Sequence, residues 1–140
     1  MTFWDSSAVV PLLVTQGASA TTTAWLTADT ALALWTLTPV EVTSALQRLT
    51  REGVLDEHTE QQAEARLGQL VGTCHVVVDV EAVKALATRL LRLHPLRAFD
   101  ALQLGAALHW AEHHPEGRTL HTLDQRLAVA ARREGFLVPE

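Results

Sequence analysis

Residues 31–51 read ALALWTLTPVEVTSALQRLTR, and the change of pattern inside this stretch decides the class of fold. Ala31 to Leu37 is a nearly unbroken apolar run, as expected of a strand covered on both faces. At Thr38-Pro39-Val40-Glu41 three helix-start signals coincide: a Thr that can cap, Pro at the first position, and Glu three residues after the cap. The helix they open is expected to run to about Arg51 and to stop at Gly53. A buried strand leading straight into a helix is the repeating element of an α/β fold with a parallel sheet.

The same alternation extends in both directions. Upstream, Thr2-Phe3-Trp4 is a short apolar strand ending at Asp5-Ser6-Ser7, where an acid and two hydroxyls suit a helix N-cap. Helices are expected over Ala8–Val14, with Pro11 tolerable only near the first turn, and over Ala18–Ala28. Downstream, Leu55–Leu70 reads as a helix ended by Gly72, His75–Val80 as a strand, and Glu81–Leu93 as an amphipathic helix. Ala98–His113 is apolar on most sides, which places it deep in the fold, and Gly105 within it points to close helix packing. Arg118–Thr122 reads as a strand, Leu123–Arg133 as a helix stopped by Gly135, and Phe136-Leu137-Val138 as a last short strand.

At 140 residues the chain fits one domain spanning residues 1–140. It is 48% hydrophobic and 19% charged, which argues against disorder. A single cysteine, Cys74, excludes an internal disulfide framework and suits a reducing compartment. Ala8–Val14 is too short to cross a bilayer and lacks the basic flank of a signal peptide. The expected setting is therefore the cytoplasm, with no membrane partner. The formal charge is −5, and Lys84 is the only lysine among eleven basic residues. Nucleic-acid binding by bulk charge is thus excluded, and any such binding needs a local Arg patch, bound metal ions or both.

In open parallel sheets, ligands bind beyond the carboxyl ends of the strands. That rule directs attention to Asp5, Glu41, Asp100 and Asp124, each beside hydrophobic residues and near a strand-to-helix junction. Four carboxylates in a partly buried cleft are tolerable only if protonated or neutralised by a cation. An all-oxygen donor set suits Mg²⁺ or Mn²⁺. Each acid also has a plainer reading. Glu41 fits a capping box with Thr38, and Thr122-x-x-Gln125 is itself a capping pattern. Asp124 suits the positive end of a helix dipole, and Asp100 can pair with Arg97. Asp5, a lone acid closing an apolar strand, is the hardest to explain structurally.

The stretches FWDSSAVV, TPVEVTSAL, LRAFDALQLGAAL and LHTLDQRLAVAARREGF resemble the PIN domain, and within it the VapC-type ribonuclease toxins of bacterial toxin–antitoxin pairs. The resemblance runs from Thr2 to Val138. It is strongest at Leu96-Arg97 with Phe99-Asp100-Ala101-Leu102-Gln103-Leu104 and at Thr122-x-Asp124 followed by Arg126-Leu127, and weakest around Glu41. It departs from the common pattern at Ser6, where Thr is more usual. The resemblance implies a three-layer α/β/α fold and a divalent-metal-dependent endoribonuclease. It further implies Asp5 and Asp100 as metal ligands, with Glu41 holding the ion through water or orienting the attacking water. Asp124 would complete a second position or the water shell, and Ser6 and Thr122 would support the site. In-line attack of water on an RNA phosphodiester, leaving 5′-phosphate and 3′-hydroxyl ends, is the implied chemistry. A homodimer and a small VapB-type antitoxin are the implied partners. Arg97 and Arg126 flank the acids and can take phosphate contacts or pair with the acids themselves.

Two rival readings follow from the same residues. A catalytically degenerate PIN-like domain acting as an RNA- or protein-binding module is opposed by the presence of all four acids and Thr122. His109-Trp110-Ala111-Glu112-His113 formally matches the H-x-x-E-H pattern of a zinc peptidase. The surrounding sequence, however, reads as a polar helix end, and no third ligand is evident. No glycine-rich phosphate loop is present, which speaks against an NTPase.

Overall fold

A computed structural model describes residues 1–140. The elements in chain order are β1 (Thr2–Trp4), α1 (Ser6–Leu13), α2 (Ser19–Ala28), β2 (Leu32–Trp35), α3 (Thr38–Arg51), α4 (Glu57–Thr73), β3 (His75–Val77), α5 (Val80–Leu93), α6 (Ala98–Trp110), β4 (Leu120–His121) and α7 (Gln125–Glu134). The four strands form one parallel sheet in the order β3-β2-β1-β4. The expected last strand is reduced to a single bridge from Leu137 to Thr119 at the β4 edge.

Strand alternation builds the three layers. Successive side chains point to opposite faces, so Phe3, Ala33 and Trp35 join a core with α5, α6 and α7. Trp4, Leu32 and Leu34 join a second core with α1, α3 and α4. Phe3, Trp4 and Trp35 are fully buried. Covered on both faces, these strands have no reason to alternate with polar residues, which is why they read as continuous apolar runs. The fold is therefore the expected α/β/α sandwich. No helix is long and apolar enough to cross a membrane.

Gly105 sits where α6 meets α5. A Cβ there would lie 3.1 Å from the Val83 carbonyl oxygen and 3.2 Å from the Ala87 nitrogen, both backbone atoms that cannot rotate away. Gly105→Ala is expected to destabilise the protein by about 1–3 kcal/mol through overpacking, although Ala gains about 1 kcal/mol in helix propensity. A lower urea midpoint with unchanged m-value is the measurement that checks it.

Several boundaries differ from those read in the sequence. Helix α4 continues through Gly72 to Thr73, since glycine is only a mild cost inside a helix held by packing. Pro11 lies inside α1, beyond its first turn. Helix α6 stops at Trp110 because Glu112 and His113 both turn left-handed, with φ of 54° and 63°. This corrects the H-x-x-E-H reading. His109 is within the helix whereas Glu112 and His113 lie past its end, so the shared helical face that the pattern requires does not exist.

Candidate active site

Parallel strands place their carboxyl ends together, and the site assembles there. Asp5 directly follows β1 and N-caps α1; its carboxylate accepts from the Ser7 backbone N–H. It is 3% exposed. The Ser7 hydroxyl and the Thr122 hydroxyl, the latter at 2.9 Å, both donate to Asp5 Oδ2. Those hydroxyls are themselves set in place by the backbone beyond β4. The Leu123 N–H donates to Ser7 Oγ at 2.9 Å, and the Asp124 N–H to Thr122 Oγ1 at 3.1 Å. β1, α1 and the β4–α7 turn are thus tied through one carboxylate oxygen.

Glu41 occupies the first turn of α3. Its Oε2 accepts from Ser6 Oγ at 2.7 Å and from Gln103 Nε2 at 2.7 Å. Ser6 also lies 3.3 Å from Asp5 Oδ1. A hydroxyl has one hydrogen, and the shorter contact to Glu41 takes it. The capping-box reading of Thr38 and Glu41 is corrected here. Leu37 is the N-cap of α3 and makes no side-chain cap bond. The buried Thr38 hydroxyl instead pairs with Gln103, at 3.0 Å from Nε2. Thr122 does not cap α7 either; Asp124 does, accepting from the Leu127 N–H at 2.9 Å.

Asp100, half-buried on α6, completes the group. Burial pushes its carboxyl above the ordinary range, and the Asp124 and Asp5 charges push it further up. Burial likewise raises Asp5. Hydrogen bonds from Ser7 and Thr122 oppose that rise, and the Glu41 charge adds to it. All four acids therefore belong to one field of like charge. None of them is ion-paired with a Lys, Arg or His.

This arrangement fits a hard divalent cation by donor chemistry and by uncompensated charge. Asp5 Oδ1, Glu41 Oε1 and Asp124 Oδ2 are each left without a committed donor. As the side chains stand, no three acids or histidines are gathered closely enough to enclose one ion. Mg²⁺ asks for less than that, since it is commonly held by one or two carboxylates and keeps several waters.

Arg97 immediately precedes α6, is exposed, and lowers the Asp100 carboxyl by its charge, against the larger effect of burial. Arg126 faces elsewhere, lining a separate hollow with His94, Pro95 and Arg133. Two site residues were missed in the sequence: Ser7, which holds Asp5, and Gln103, which ties Glu41 to α6. Asp100 and Gln103 stand three apart as polar residues in an apolar helix, hence on one face, and that spacing was the available signal for Gln103.

Three solved structures share this architecture along nearly the whole chain. The crystal structure of PAE2754 from Pyrobaculum aerophilum is 24% identical, with a TM-score of 0.63, covering 98% of this chain and 87% of that one. FitAcB from Neisseria gonorrhoeae is 19% identical, with a TM-score of 0.66, covering 100% and 97%. The chain has the PIN-like fold. FitAB bound to an IR36 DNA fragment matches the same PIN-like scaffold at 20% identity and a TM-score of 0.61, covering 99% of this chain and 94% of that one. No protein-family model matches the sequence, and no curated protein does. At these identities the likeness speaks for the fold, and the chemistry must be argued from the side chains.

Proposed function

We propose that this PIN-like chain is a divalent-metal-dependent endoribonuclease, the VapC-type toxin of a toxin–antitoxin pair. One observation carries the reading: four carboxylates share the carboxyl edge of the sheet, one of them buried, and none of them forms an ion pair with a basic side chain. Bound there, Mg²⁺ or Mn²⁺ supplies Lewis-acid activation of water and charge stabilisation at a phosphodiester.

The protein's own contribution is placement. Asp5, through Oδ1, and Asp100 are the residues to hold the ion. Ser7 and Thr122 fix the Asp5 carboxylate by occupying its other oxygen. Ser6 and Gln103 clamp Glu41, leaving Oε1 to orient a water. Asp124 is fixed by capping α7 and presents Oδ2 to the same edge. Arg97 stands beside Asp100 to meet a substrate phosphate. Hydrolysis by water leaves 5′-phosphate and 3′-hydroxyl ends and needs no histidine pair. A homodimer and a small VapB-type antitoxin covering the cleft belong to this reading and rest on the sequence resemblance.

Purified protein is expected to cut single-stranded RNA in Mg²⁺ or Mn²⁺, to stop in EDTA, and to resume when either ion is restored. Cleavage that is indifferent to EDTA rejects the proposal.

A further inference from the structure

A groove of about 410 Å³ opens directly beside the carboxylates. Ser6 and Glu41 belong to both, so the groove is continuous with the site. Its far wall is α3. Glu41, Ser44, Ala45 and Arg48 line it, and their spacing of i, i+3, i+4 and i+7 is one face of a helix. At 1.5 Å rise per residue, Arg48 stands about 10 Å along the helix from Glu41. Arg48 is exposed and forms no ion pair, so its guanidinium is uncommitted. The groove is also lined by Phe99, the residue before Asp100. Phe99 is 49% exposed, the most exposed of the seven Phe and Trp residues; Trp25 and Trp110 are half-buried and the other four are buried.

Resting on the ribonuclease reading above, we propose that this groove seats a nucleotide neighbouring the scissile phosphate, with Arg48 on its phosphate and Phe99 against its base. The chemistry is that of single-stranded nucleic-acid binding, where a cation follows the backbone and an aromatic face accepts any base. A chain of net charge −5 with an acidic centre repels phosphate unless a cation is placed locally, and Arg48 is the cation within this groove. Stacking on Phe99 is tolerant of sequence because every base presents a π-face.

The test uses the full chain with Mg²⁺ and fluorescein-labelled ten-nucleotide oligo(U) and oligo(A). Binding is read by anisotropy in an Asp100→Asn background that leaves the RNA intact, and cleavage is read in the otherwise unaltered protein. Arg48→Ala is expected to weaken binding about tenfold and to reduce the slope of log affinity against log salt by about 0.7, the value for one phosphate contact on a single strand. Phe99→Ala is expected to weaken binding about tenfold with the salt slope unchanged, and Phe99→Trp to restore it. Both losses fall on KM in cleavage. Arg118→Ala, at the opposite end of β4 beside Trp110, is expected to change nothing. If both groove variants bind and cut RNA as well as the parent, the inference is overturned, the groove is left to a protein partner, and the ribonuclease reading stands. If the unsubstituted protein neither binds nor cuts RNA, both fall together.

Discussion

Asp5→Asn is expected to lower RNA cleavage by about a thousandfold or more while the protein remains folded at least as stably as before. The size follows from removing a preorganised charge at a reacting centre, where single groups are worth about 10²–10³ in rate, combined here with loss of a metal ligand. The stability argument is local. Oδ2 of Asp5 accepts from the Ser7 N–H, the Ser7 hydroxyl and the Thr122 hydroxyl. An Asn carbonyl oxygen has two lone pairs and keeps the two hydroxyl donors; the Ser7 N–H contact, at 3.3 Å, is the weakest of the three. The amide nitrogen then replaces Oδ1, whose neighbour, Ser6 Oγ, can accept from it. The substitution also removes a charge that burial disfavours and that Glu41 repels. Catalytic loss and structural loss are thereby separated. The thermal midpoint without metal should hold or rise, whereas the midpoint increase that Mg²⁺ gives the parent by binding its folded state should vanish. A variant that still cleaves at the parental rate removes Asp5 from the chemistry. One that loses cleavage only because it unfolds assigns Asp5 to the fold.

The separation between role and fold explains what the sequence could disclose. Strand β1 and its acid were legible because a lone charge closing an apolar run has few local explanations. Parallel topology then sends Glu41 and Asp124, each just beyond a strand, to the same edge. The partners of those acids were not legible, because local rules and tertiary contacts compete for the same groups. Thr38 satisfies every local condition for a capping box, yet its hydroxyl pairs with the buried Gln103 of α6, 65 residues away. Thr122 fits a cap in sequence and serves Asp5 in the structure. Arg126 lies two residues from Asp124 but faces a different hollow, since helix geometry turns it away. The left-handed turn at Glu112 and His113 is likewise invisible to a pattern that assumes the helix continues. His121 belongs with these cases: one of several scattered histidines in the sequence, it is nearly enclosed in the structure.

That enclosure has a large consequence for acid stability. His121 lies on β4 in register with Trp4 of β1, is 4% exposed, and packs its ring 4.7 Å from Trp4 and 4.6 Å from Trp25, stacked on the latter at 19°. Its Nδ1 is buried without a hydrogen-bond partner. Burial holds its pKa down to about 4, against an ordinary 6.5, with only Asp29 opposing the shift. The folded protein therefore refuses a proton that the unfolded chain accepts. Stability associated with this ring is complete above pH 6.5, declines as the pH falls towards 4, and changes no further below that. The span corresponds to about 3 kcal/mol. The raised carboxyls of Asp5 and Asp100 work in the opposite direction, regaining stability as they protonate, so the wild-type curve alone does not isolate the histidine. His121→Phe does, because it keeps an aromatic ring between the tryptophans and removes the titrating nitrogen. The stability of His121→Phe relative to the parent, from urea unfolding, is expected to rise by about 3 kcal/mol between pH 7 and pH 4. Parallel curves over that range would mean that the ring is protonated in the fold as readily as outside it, and that the tryptophan stack tolerates an imidazolium.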